Sequence, residues 1–142
     1  MGYHADVQAQ LVSLIEAAVP TGVSVVQGLA MSEAETIRNA AFVAIVRDSI
    51  EVEPHAEINP STSTSDQMER WRWLLYVKGG GGAANNPAKG AEVDLILEAV
   101  RTALNAQKLT AACGPLHLES EEYEGNSGTG VVYIQTWVHG RL

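Results

Sequence analysis

The closest formal match to a chemical motif is Gly79-Gly80-Gly81-Gly82-Ala83-Ala84, which follows an apolar run, precedes a helical one and satisfies the dinucleotide pattern G-x-G-x-x-A. In that pattern the helix begins inside the glycine fingerprint, so that its free N–H groups face a pyrophosphate. Here Asn85-Asn86-Pro87-Ala88-Lys89-Gly90 stands between the glycines and the onset of helical periodicity. Nor is this a phosphate loop, because Lys89 follows alanine and is not followed by Ser or Thr. Residues 79–90 are therefore read as a linker, and a small-molecule or enzymatic use of Gly79 to Gly82 is the minor alternative.

The other chemistry-bearing residues are scattered. No Gly-x-Ser-x-Gly elbow occurs, and Cys113, in Ala111-Ala112-Cys113-Gly114-Pro115, has no nearby partner to activate it, so it reads as an inert, small apolar side chain. His4, His55, His117 and His139 show none of the close spacings of a zinc site, although His117 and His139 would approach if the last two strands pair. Glu119, Glu121, Glu122 and Glu124 suggest a carboxylate pair or divalent-ion site. Strict alternation puts Glu122 and Glu124 on one strand face and Glu119 and Glu121 on the other, which reads better as a solvated edge. The expectation is a protein with no catalytic residue, no cofactor and no metal.

Composition narrows the partners. Nine Lys and Arg against seventeen Asp and Glu give a formal charge of -8, so attraction to nucleic acid would need a local basic patch. Only Arg70 and Arg72 come close together, while acids cluster at residues 51–57 and 119–124. One cysteine excludes an intramolecular disulfide framework and fits a reducing cytoplasm. The opening Met1-Gly2-Tyr3-His4-Ala5-Asp6 lacks the basic and apolar regions of a signal peptide, and no apolar run approaches the ~18 residues of a membrane helix, so neither secretion nor membrane insertion is expected.

The elements that would position these residues fit one domain over 142 residues. Val7, Leu11, Leu14 or Ile15 and Ala18 mark a one-striped helix over 6–19, stopped by Pro20 and Gly22. Residues 23–26 and 41–47 read as strands, the second apolar enough to be buried on both faces, with a polar connection over 31–39 between them. Residues 48–69 read as a long polar loop, either a solvated insertion or a partner-contacting segment. Over 71–78, alternation places Trp71, Trp73, Leu75 and Val77 on one face and Arg72, Leu74, Tyr76 and Lys78 on an amphipathic other. Val93, Ile96, Val100 and Leu104 mark a helix over 91–108, with Glu92, Asp94 and Glu98 early and Arg101 and Lys108 late, as the helix dipole prefers. Residues 117–124 and 131–139 complete the chain as a hairpin with its turn at 125–130. The order α-β-β-β-α-β-β predicts an α+β domain in which two helices cover one face of a mostly antiparallel sheet of about five strands.

The chain, most of all residues 71–142 but by pattern and order over most of its length, resembles the Mu-like prophage tail terminator family and, more distantly, lambda-like tail terminators and other ring-forming tail completion proteins. The resemblance rests on the amphipathic first helix and Val-rich strand, on Ala41-Phe42-Val43-Ala44-Ile45-Val46-Arg47, and on a third strand running into a glycine-rich linker. It rests also on the tail end, from Ile96-Leu97-Glu98-Ala99-Val100-Arg101 through Pro115-Leu116-His117-Leu118-Glu119-Ser120 to Val131-Val132-Tyr133-Ile134-Gln135-Thr136-Trp137-Val138. The loop over 48–69 is longer than the family's usual connection, and no residue role is carried over.

The resemblance implies a virion structural protein made in the host bacterial cytoplasm and placed at the head-proximal end of a phage tail. Such subunits form a homo-oligomeric ring, a hexamer, that caps the tail tube protein, stops polymerisation and joins the head-tail connector or neck protein. Another neck or tail completion subunit of the same fold is the alternative. Six copies of -8 would line a channel through which double-stranded DNA passes without specific binding. Candidate subunit or tube contacts are Trp71, Tyr133 and Trp137, which are equally candidates for the core, and Glu53, His55 and Glu57 in the long loop. Trp73 reads as core.

Overall fold

The computed structural model describes residues 3–20, 22–27, 41–53, 68–79, 87–111, 113–127 and 130–141. The first helix, α1 (Tyr3–Ala18), buries Val7, Leu11 and Ile15, the stripe that its spacing predicts. A last helical bond runs from Val19 N to Ile15 O (3.0 Å); Pro20 has no N–H to continue the series, and Gly22 turns the chain at φ +94. Then follow β1 (Ser24–Gln27), β2 (Phe42–Glu53), β3 (Met68–Lys78), α2 (Pro87–Leu104), β4 (His117–Ser127) and β5 (Gly130–Arg141). The element order is the predicted one, and the class is α+β.

One five-stranded sheet runs β1-β2-β3-β5-β4. β1 is parallel to β2, and every other pair is antiparallel. Since β5 lies between β3 and β4, the segment from β3 through α2 to β4 is a split β-α-β unit. It differs from the dinucleotide fold, whose neighbouring strands are parallel. Both helices lie on one face, where Val7, Leu11 and Ile15 of α1 and Ile96, Val100 and Leu104 of α2 meet Val43, Ile45, Trp71, Trp73, Leu75, Val77 and Trp137. The start of β2 is buried on both faces as expected, because Phe42 and Ala44 form a second cluster on the opposite side with Val26 and Tyr76. Lys78, predicted on an amphipathic face, is also buried there, with Nζ 5.7 Å from the Phe42 ring centre.

Boundaries differ from the sequence reading in three regions: the 48–69 loop, α2 and the final hairpin. β2 continues to Glu53 and β3 begins at Met68, so both ends of the predicted 48–69 loop are strand. A bulge between Arg47 and Ser49 shifts the alternation by one residue and hides the continuation. The rest of that loop, the 31–39 connection and residues 80–86 lie outside the described residues. α2 opens at Pro87, whose fixed φ suits a first helical position, so fewer residues separate it from the glycines than periodicity suggests. It closes at Leu104, leaving Lys108 beyond it, because Ala106 takes a left-handed conformation (φ 62) without the glycine that normally announces such a stop. Tertiary bonds hold that turn: Ala106 N–H donates to Leu116 O and Leu116 N–H to Gln107 O, both at 2.9 Å. The final hairpin is longer than predicted, and Gly125 (φ +135) belongs to a bulge within β4.

Two predictions follow from these placements. Leu75→Ala, at a fully buried core position, lowers unfolding free energy by about 2–5 kcal/mol in urea titration, whereas Leu95→Ala, 62% exposed on α2, changes it by no more than about 0.5 kcal/mol. Ala106→Gly relieves the left-handed strain and raises stability by about 0.5–1 kcal/mol in the same titration.

Candidate functional site

Of the residues weighed as contacts, Trp71 and Trp137 belong to the core, at 3% and 0% exposure. They stand in the helix-side rows of β3 and β5, with Trp73 paired to Trp137 and Trp71 to His139. Of the two readings given for them, core or contact, their burial in the single chain fits the core. Tyr133 is half-buried against the same core, edge-on to Tyr123 at 5.6 Å and 62°, and Tyr123 itself is 56% exposed on β4. The backbone of Glu53 ends β2 opposite Met68; His55 and Glu57 lie outside the described residues.

Between α2 and the β4–β5 hairpin runs a polar network that the sequence reading missed. Gln135 is fully buried, and its Oε1 accepts from Trp137 Nε1 at 3.0 Å. Its Nε2 donates to Glu121 Oε1 at 2.8 Å and to the Leu97 carbonyl of α2 at 3.2 Å. Glu121 Oε2 in turn accepts from Arg101 Nη1 at 2.9 Å. One buried amide thus ties α2 to both strands, and beside it a groove of about 460 Å³ is lined by Arg101, Thr102, Asn105, Leu118 and Trp137. The available signal was a polar residue in an aromatic row: Tyr133, Gln135, Trp137 and His139 alternate along one face of β5.

The opposite face carries the other charge cluster. Glu119 accepts from Arg70 Nη2 at 2.6 Å and from Arg72 Nη2 at 3.0 Å, while Arg72 Nη1 lies 3.6 Å from Glu51. The close pair of arginines is therefore neutralised. Glu119 and Glu121 do not share a face as strict alternation implied, because a bulge between Leu118 and Ser120 turns Glu119 away from the helices. β4 is nevertheless an edge strand with exposed Glu122 and Glu124, as read from its acidity. Next to the charges, Val46, Leu74, Tyr76 and Ile134 are half-exposed. Burial, then Glu124 and Asp48, raise the Tyr76 hydroxyl above its ordinary value, so it stays a neutral donor.

At the other end of the aromatic row is a stack of rings. His4 lies over Trp73 at 5.6 Å with planes 7° apart and 6.0 Å from Trp71; Trp71 is 6.2 Å from Trp73 and 6.0 Å from His139. Trp73 Nε1 donates to His139 Nε2 at 3.0 Å, and Trp71 Nε1 to Glu69 Oε2 at 2.9 Å. His117, opposite Val138 and exposed, faces away from the buried His139, so the histidine that reaches this end of the core is His4 from α1.

The chain matches no protein-family model and no curated protein. Among the described residues no group of three His, Cys, Asp or Glu could hold a metal ion, and no helix is long and apolar enough to cross a membrane. Cys113 is buried, accepting from Thr110 Oγ1 at 3.3 Å.

Gln135→Met removes the shared amide at nearly constant volume. It leaves the Trp137 indole N–H and the Glu121 carboxylate short of partners, and lowers unfolding free energy by about 1–3 kcal/mol in urea titration.

Proposed function

We propose that this chain is a structural subunit of a phage tail, of tail-terminator type. It closes with copies of itself into a ring, the hexamer that the resemblance implies, around a channel, and the ring caps the tail tube and meets the head-tail connector. The observation that supports this reading best is the one-sided layering of the domain. α1 and α2 cover one face of the sheet, and no described helix or strand packs on the other. That second face mixes the half-exposed Val46, Leu74, Tyr76 and Ile134 with the compensated Arg70, Arg72, Glu119 and Glu51 group, a composition suited to an interface with an apolar centre and a polar rim. The element order agrees with the order on which the family resemblance rests.

The charge supports the channel in this reading. Pairing of Arg70 and Arg72 with carboxylates removes the one place where bases cluster, and a ring of chains each carrying -8 holds DNA at arm's length. A neck or tail completion subunit would use the same layering and differ only in which neighbour it binds.

Light scattering over a concentration series, alone and with tail-tube protein, tests the proposal. The expected mass is six times the 15.1 kDa of one chain, reached by the protein alone or on adding tube. A persistent 15.1 kDa species indifferent to tube protein overturns it.

A further inference from the structure

We propose that the stack of His4, Trp71, Trp73 and His139 is an acid-released latch: it holds the first turn of α1 on the sheet while both imidazoles are neutral, and lets go when His139 takes a proton on Nε2. The hydrogen bonds define the resting state. His139 is fully buried, its Nε2 accepts from Trp73 Nε1 at 3.0 Å, and its Nδ1 lies 3.1 Å from the Gly140 carbonyl, which can only accept. The proton of the neutral ring therefore sits on Nδ1, and a second proton would put two N–H donors head to head at that distance. The Trp73 indole must then give up its acceptor or move, and His4 lies parallel against that indole.

His4 adds to the tension. Its Nε2 is buried with no hydrogen-bond partner, so the ring is held by stacking on Trp71 and Trp73 and not by a polar anchor at that atom. Among the described residues the surrounding charges offer no shelter for an imidazolium. Arg47 on β2 acts on His4, and His117 on β4 acts on His139. On β3, the Glu69 carboxylate is engaged by Trp71 Nε1 and lies 3.5 Å from Arg141 of β5. Asp6 of α1 is exposed, and Cys113, bridged to Arg141 from the segment before β4, is a buried thiol.

The direction with pH follows from these contacts. Burial first, then His117, hold His139 below the ordinary histidine value of 6.5 against the opposing bond to Gly140; burial and then Arg47 do the same for His4. The unfolded chain takes up these protons near 6.5 while the fold resists them. The latch is therefore complete above that value and weakens progressively as pH falls below it. Release uncovers Trp71 and Trp73 without requiring the sheet to open, because their ladder bonds to β2 and β5 are backbone bonds.

Near-UV circular dichroism and tryptophan emission of the full chain, followed from about pH 8 to about pH 5 with far-UV dichroism as the control, test the latch. The expected result is a reversible change in the tryptophan signals with a midpoint below 6.5 and little change in the far-UV signal. His139→Gln, which keeps an acceptor but cannot titrate, removes at least about half of that amplitude, and His4→Phe, which keeps a ring on Trp73, retains it. Flat tryptophan signals across the range overturn the proposal, as does a transition unchanged in His139→Gln or lost in His4→Phe. Should His139→Gln not fold, the histidine ring-proton resonances of the unaltered chain decide. Titration of His139 together with the tryptophan change supports the latch, and a His139 that stays neutral through that change overturns it.

Discussion

Three indole N–H groups must find acceptors inside the protein, and much of the structure follows from how they do so. Trp71, Trp73 and Trp137 stand side by side in the helix-facing rows of β3 and β5, where water cannot serve them. Each is given a different acceptor: Glu69 for Trp71, His139 for Trp73 and Gln135 for Trp137. Those acceptors bring needs of their own. Gln135 spends its amide hydrogens on Glu121 and on the Leu97 carbonyl, Glu121 draws Arg101 of α2, and Glu69 draws Arg141. The aromatic layer thus recruits the polar groups that lock α2 and the terminal hairpin onto the sheet.

Among the described residues, the same layer accounts for the placement of both helices on one face. Side chains of this size need a thick cover, and α1 and α2 supply it on a single face. The opposite face carries the Phe42, Ala44, Val26 and Tyr76 cluster and a compensated group of arginines and glutamates. Exposed ion pairs of this kind contribute little to folding, so their arrangement across β2, β3 and β4 has more to offer recognition than stability. In the proposed ring, one face would serve the domain's own core and the other its neighbours.

Bulges decide where the acidic residues end up. One bulge in β2 and two in β4 each shift the alternation by a residue. In β4 the result is that Glu119 serves the open face and Glu121 the buried network, although both come from the same short acidic run. At the edge of the sheet, such bulges together with the exposed Glu122 and Glu124 also discourage uncontrolled strand pairing.

The order of elements, the class and the two apolar stripes of the helices were legible in the sequence, because periods of two and of three to four residues are local properties of a chain that buries one side of each element. The split between Trp71, Trp73, Leu75 and Val77 on one face and Arg72, Leu74 and Tyr76 on the other was legible for the same reason. The ends of β2 and α2 were not, since a bulge breaks the period and Ala106 closes the helix without a glycine. Nor could any spacing reveal that His4, from the first turn of the chain, would stack on Trp73 beside His139, or that Gln135 would join Trp137 to Glu121 and α2. Strand pairing joins Gln135 to Glu121 and Trp73 to His139, and only the packing of α1 and α2 on the completed sheet adds His4, the Leu97 carbonyl and Arg101.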